Sequence, residues 1–255
     1  MLWYKSWLET RSRFLIGLAV MMLTAAGAVL VYPRVMKLLP LANTVDTSGE
    51  LGRRIREGAE LMRSYRGYVW GQWIRQSLTQ MGTLFAVLLG SGALLSSASG
   101  SSALFMLSMP ASRNRVLGIR VATGLWELLV LALIPPLLIA VLSPGVGERY
   151  PVIDAVLHGL CFFVAAAVFF SLAQLLSTVF NDLWRPLLIA CGVAVVLALV
   201  EQAARGQWTY GIFRLMSGED YFRTGHLPWL GLLGSAAASA VMLYGATRAI
   251  ARQDF

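Results

Sequence analysis

A chain of 255 residues that is 57% hydrophobic and 13% charged, with a mean hydropathy of +0.67, lies outside the soluble class, where about 25% of residues are charged. Its formal net charge of +8 is scattered between apolar runs and not gathered on one domain, which argues against nucleic-acid binding and assigns the basic residues to headgroup contact and membrane topology. The expected fold is an all-α integral membrane protein, a single transmembrane domain over residues 1–255.

In chain order, MLWYKSWLETRSRF places Leu2, Trp3, Trp7 and Phe14 near one helical side and Lys5, Glu9 and Arg13 elsewhere, a pattern that predicts an interfacial helix over residues 1–13. Crossing the hydrocarbon takes about 20 apolar residues in a helix. Six stretches qualify: 14–32, 78–95, 121–142, 153–179, 187–200 and 227–246. The first imitates a signal peptide, with Lys5, Arg11 and Arg13 before it and Ala26-Gly27-Ala28 as a cleavage-like triplet. Its apolar run continues to Tyr32, past the roughly 7 to 15 residues of a signal's apolar region, so it is expected to stay as a span.

Between spans one and two, apolar residues recur at Leu51, Ile55, Ala59, Met62, Tyr65 and Val69, spacings of three and four. Arg53, Arg54, Arg56, Arg63 and Arg66 occupy the remaining arc with Glu57 and Glu60. Residues 49–70 are therefore expected to form an amphipathic segment outside the cell, its five arginines at lipid-phosphate depth. Gly58 and Gly67 weaken the expectation of one unbroken helix.

After span two, residues 101–120 contain LSMPASRNRVLGIR. Pro110 lacks an amide hydrogen and biases Met109 away from helical geometry, so a short helix through Phe105 ends there. Ser112 is a candidate N-cap for a new helix that carries Arg113 and Arg115 back into span three. In that span Glu127 lies about two turns deep, as a candidate for the substrate path or a partner of Arg120, and Pro135-Pro136 predict a kink near Ala132. Span four carries Asp154 and His158 at i and i+4, and Gln174 with Ser171 and Ser177 as interhelical hydrogen-bonding residues, Gln174 being the second candidate for the substrate path. No metal site is expected there, because the other histidine, His226, lies in a distant loop. Cys161 and Cys191 sit within apolar runs as small apolar filler. Glu201 marks the outer end of span five, and Gly231, Gly234 and Ser235 allow close helix approach in span six.

If both termini are cytoplasmic, nine basic residues lie inside and twelve outside, eight of the latter between Arg34 and Arg75, so charge counting alone does not set the orientation. LSMPASRNRVL resembles the LSLPVSRRRLL segment that the permease subunits of ABC-2 type transporters carry on the cytoplasmic side between spans two and three. KSWLETRSRFLIGL is similar to that family's interfacial N-terminal helix, YGIFRLMSGEDYF to its last external segment, and ARQDF to its basic tail, so the resemblance covers nearly the whole chain. Ala111 replaces a common valine, Asn114 separates the arginines, and the first external loop is unusually rich in arginine.

The resemblance implies an export permease for a lipid-like, peptide or drug-like substrate. It further implies a bacterial inner membrane with both termini cytoplasmic, a homodimer, and two copies of a separate ABC ATPase subunit. Phe105, Met109, Pro110, Ser112, Arg113 and Arg115 would form the ATPase contact, a short coupling helix, with the N-terminal helix and the loop Asn181, Asp182, Leu183, Trp184 and Arg185 as helpers. No G-x-x-x-x-G-K-[ST] loop occurs, so no cofactor is expected on this chain, and ATP and Mg²⁺ belong to the partner. The alternatives are an intramembrane enzyme or a passive channel. The first would need a convergent nucleophile and base, and the second repeated polar faces on several spans.

Overall fold

A computed structural model describes residues 2–42, 58, 60–92, 113–180, 182–204 and 211–251, and every regular element among them is helical. Helix α1 (Leu2–Ala42) runs without interruption through the expected boundary at residue 13. The first glycine is Gly17 and the first proline Pro33, so nothing in the sequence breaks the helix there, and the interfacial helix and span one form one element. Its inward stripe is narrow, made of Ser6, Thr10, Gly17, Met21, Ala25, Val29 and Tyr32. Trp3, Tyr4, Leu15, Ile16, Leu23 and Leu30 face outward.

Of the expected amphipathic segment 49–70, residues 58 and 60–70 are described. Ser64 is extended (φ −96°, ψ 139°) and its Oγ accepts the Gly67 amide at 3.0 Å, starting helix α2 (Tyr65–Tyr68). A ten-residue π-helical stretch, Val69–Leu78, follows and leads into α3 (Thr79–Gly90). Tyr65, Tyr68, Val69, Trp70, Trp73, Ile74 and Leu78 are all buried, too many neighbouring positions for one α-helical stripe. Of the second expected span, 78–95, residues 79–90 form α3, and the buried path that leads into it starts at Tyr65.

Helix α4 (Arg113–Leu142) continues through Pro135 and Pro136, and a 3₁₀ turn (Ser143–Val146) closes it on Gly147 (φ 79°). Helix α5 (Val152–Val179) is the hub. Packed around it are α3, α4, α6 (Trp184–Ala203), α7 (Ile212–Ser217) and α9 (Trp229–Ala251). Helix α8 (Glu219–Thr224) is joined to α7 through Gly218 (φ 60°). Close approach of α3 to α5 depends on Gly90, where an added Cβ would collide with the Phe170 carbonyl.

Among the described residues, five helical segments are long and apolar enough to cross a membrane: Ser6–Lys37, Arg115–Val146, Val152–Val179, Trp184–Ala203 and Trp229–Ile250. Side-chain contacts relate α1, residues 65–90, α5, α6 and α7 to one another. Tyr68 Oη donates to the Ala28 carbonyl at one end of α1, and Arg13 Nη1 donates to the Leu88 carbonyl near the other, so residues 65–90 run antiparallel to α1. Ser177 Oγ reaches Gly90 O, and Glu201 reaches the start of α7. The bundle therefore has an N-terminal end, near Glu9, Leu88, Arg120 and Ser177, and a distal end, near Tyr32, Tyr65, Ser143, Asp154 and Glu201.

Candidate functional site

Of the residues expected to contact an ATPase, Phe105, Met109, Pro110 and Ser112 lie outside the described residues. Arg113 opens α4, and Arg115 is exposed in its first turn. What frames this segment is visible. The guanidinium of Arg120 lies directly on the Gly92 backbone, where any added Cβ would meet Nη2, so the chain before the segment touches the helix after it. Arg120 Nη1 is 3.9 Å from Glu9 Oε2, and Arg13 holds the Leu88 carbonyl at 3.3 Å.

Glu127 belongs to the same junction. It is 1% exposed, and its Oε1 accepts a 2.5 Å bond from Thr10 Oγ1, while Oε2 has no partner. The carboxylate therefore does not pair with Arg120; it joins α4 to the first turns of α1. Three polar groups of α1 make these ties: Glu9 faces Arg120, Thr10 donates to Glu127, and Arg13 donates to the Leu88 carbonyl. This arrangement ties α1, the end of α3 and the first half of α4 to one another.

Gln174 lies in the hub helix, fully buried, and neither of its side-chain polar atoms has a partner; the same holds for Ser171 Oγ. Ser177 Oγ donates to the Ala173 carbonyl at 2.8 Å. Asp182 caps its own turn by accepting the Arg185 amide at 2.8 Å, and the exposed Arg185 guanidinium pairs with the same carboxylate at 3.0 Å.

Of the five expected lipid-phosphate arginines, Arg63 and Arg66 are among the described residues. Arg53, Arg54 and Arg56 lie outside the described residues, and Arg63 is exposed. Arg66 Nε pairs with Asp154 Oδ2 at 2.6 Å, and its guanidinium lies 5.4 Å from the Phe222 ring centre. Tyr221 Oη donates to Asp154 Oδ1 at 2.8 Å. Burial, then this neighbouring carboxylate, pushes the Tyr221 phenol above its ordinary value, and the same two causes raise Tyr150. Trp70 stacks on Phe222 with centroids 4.4 Å apart and donates Nε1 to the Ser217 carbonyl at 2.9 Å. His158 does not meet the Asp154 side chain: its Nδ1 is 2.7 Å from the Asp154 carbonyl, and the buried Nε2 has no partner.

No family model, curated protein or solved structure matches the chain. Among the described residues, no three His, Cys, Asp or Glu side chains converge as metal ligands. Sequence reasoning missed two features, the Arg66–Asp154–Tyr221 tie and the Thr10–Glu127 bond. Each joins residues more than sixty positions apart, a distance over which periodicity carries no signal.

Proposed function

We propose that the chain is the permease subunit of an ATP-driven ABC-2 type exporter in a bacterial inner membrane, with both termini in the cytoplasm. The observation that carries this reading is the junction at the N-terminal end. Glu9, Thr10 and Arg13 of α1 bind Arg120, Glu127 and the end of α3 around the base of the segment bearing LSMPASRNRVL. A force-accepting segment needs such a base, because a loop that moved alone would not reposition the spans.

Five long apolar helices, with residues 65–90 as a sixth crossing, support an even number of passes and termini on one side. The hairpin of α7 and α8 between the last two spans supports the likeness of YGIFRLMSGEDYF to an external segment. On this reading two copies of the chain pair, and two ATPase subunits grip residues 101–120, where Arg113 and Arg115 meet carboxylates of the partner. The cargo is a lipid-like, peptide or drug-like molecule.

The test is co-purification of the tagged chain from membranes with an ATPase subunit whose hydrolysis it stimulates. Charge reversal, Arg113→Glu with Arg115→Glu, is expected to abolish association while the variant keeps the wild-type melting temperature. Retained association in the double variant would refute the assigned contact, and a chain that purifies with no ATPase would favour a channel or an intramembrane enzyme.

A further inference from the structure

At the distal end, on the side of α6 and away from the Arg66–Asp154 tie, lies a cavity of about 480 Å³. It falls within the range of roughly 300 to 1,000 Å³ that small-molecule sites occupy. Arg75 and Gln80 of the second crossing form one wall, Glu201 and Gln202 of α6 another, and Arg214 of α7 with Glu219 of α8 the remainder.

The charges lining this cavity are not equally available. Both carboxylate oxygens of Glu201 are occupied by backbone amides, Oε2 by Phe213 at 3.0 Å and Oε1 by Arg214 at 2.7 Å. The Arg214 guanidinium holds Asp220 Oδ1 through two nitrogens at 3.0 and 2.6 Å. Glu219 is taken by Arg223 at 2.8 Å. Arg75 makes no ion pair among the described residues; its one ring contact is Trp70, 5.5 Å away.

Position strengthens the case. Arg75 sits in the π-helical stretch, a backbone form concentrated at functional sites, and Thr79 Oγ1 donates to the Arg75 carbonyl at 2.5 Å. Beside the cavity, the outer half of α6 exposes Val195, Val196, Leu199 and Val200. A polar chamber therefore opens next to an aliphatic wall, and in it Arg75 is a guanidinium with no ion pair among the described residues, while the Glu201 carboxylate is capped by two backbone amides.

We propose that this cavity binds a phosphate-bearing anion through Arg75, with Gln80 and Gln202 as hydrogen-bond donors, and that the anion is the headgroup of an amphiphile whose chains lie along α6. The forked donors of a guanidinium suit phosphate oxygens, and the amide side chains complete a donor-rich lining. This site does not depend on an ATPase partner, so it stands or falls separately from the transport reading.

The test uses the full-length chain purified in an uncharged detergent, with intrinsic tryptophan fluorescence reporting binding. Short-chain phosphatidylglycerol, phosphatidylcholine and inorganic phosphate are titrated in turn. Phosphatidylglycerol is expected to bind wild type about tenfold more tightly than Arg75→Gln, a factor that corresponds to roughly 1.4 kcal/mol. Arg75→Lys should fall between them, and Arg149→Gln, an exposed cation at the same end, should match wild type. Melting temperatures identify any variant that has lost its fold, and Arg75→Lys then carries the comparison. Inorganic phosphate binding with the same dependence on Arg75 would support the anion site with a soluble ligand as its source. Equal phosphatidylglycerol affinity in wild type and Arg75→Gln, or an equal loss in Arg149→Gln, would overturn the proposal.

Discussion

Asp154 shows how a single carboxylate can organise one end of a membrane bundle. It is 4% exposed and accepts from Tyr221 while pairing with Arg66, whose side chain is 41% exposed. The asymmetry decides which loss costs more. Removing Asp154 leaves an arginine that water can reach, whereas removing Arg66 leaves a buried carboxylate with one phenol. Arg66→Ala is therefore expected to lower the melting temperature of the detergent-purified protein more than Asp154→Asn, by a difference of about 1 to 3 kcal/mol. The reverse order would contradict the pairing.

Thr10 and Glu127 obey the same logic. Thr10→Val strands a carboxylate that is 1% exposed and should cost about 1 to 3 kcal/mol, while Glu127→Gln, which buries a neutral amide, should cost less in the same melting assay. Tyr221 adds a pH signature. Its folded phenol is raised by burial and by Asp154, so its contribution is complete below about pH 10, the ordinary tyrosine value, and fades as pH climbs through the higher folded one. Melting curves of Tyr221→Phe should consequently lose the alkaline part of the wild-type decline.

At the scale of elements, short pieces are held by partners remote in sequence. Helix α7 has six residues and would not persist alone, yet Glu201 at the end of α6 accepts two of its first amides. Glu201→Ala should remove about 1 kcal/mol and accelerate hydrogen exchange at residues 212–217 while leaving the hub helix protected. Unchanged exchange there would show that the cap is dispensable. Gly90→Val is a harsher test, because its side chain would drive α3 from the Phe170 carbonyl of α5. Loss of folded yield is expected, whereas Gly27→Ala, with open space around it, should be neutral.

The elements also show what the sequence can and cannot disclose. Apolar length was sufficient to locate the five helices among the described residues that are long and apolar enough to cross a membrane, and α4 continues as one helix through Pro135-Pro136. The three-and-four spacing from Leu51 to Val69 describes an α-helix and carries no signal for the turn at Ser64 or for the π-helix over Val69–Leu78. Arg66 falls on the polar arc of that spacing, and its partner Asp154 is eighty-eight positions away. The expected coupling residues 105–112 lie outside the described residues, so only their frame, Gly92 against Arg120, joins the reading to geometry.

Across the whole molecule, polar ties collect at the two ends and apolar surface lies between. Glu9, Thr10, Arg13, Arg120 and Glu127 bind one end; Arg66, Asp154, Tyr221, Glu201 and Arg214 bind the other. Between them α6 and α9 present Leu188, Val195, Leu199, Leu233 and Val241 outward, a surface suited to lipid or to a second copy. Such a body can tilt its helices about the α5 hub when one end is pushed, which is what the proposed ATPase contact requires. Sidedness decides the matter. With Ser112→Cys in the full-length chain and Cys161 and Cys191 replaced by Ala, a membrane-impermeant maleimide should label inverted inner-membrane vesicles and leave intact spheroplasts unlabelled. Labelling of intact spheroplasts would put the arginine-bearing segment outside the cell, beyond reach of any ATPase, and would contradict the account.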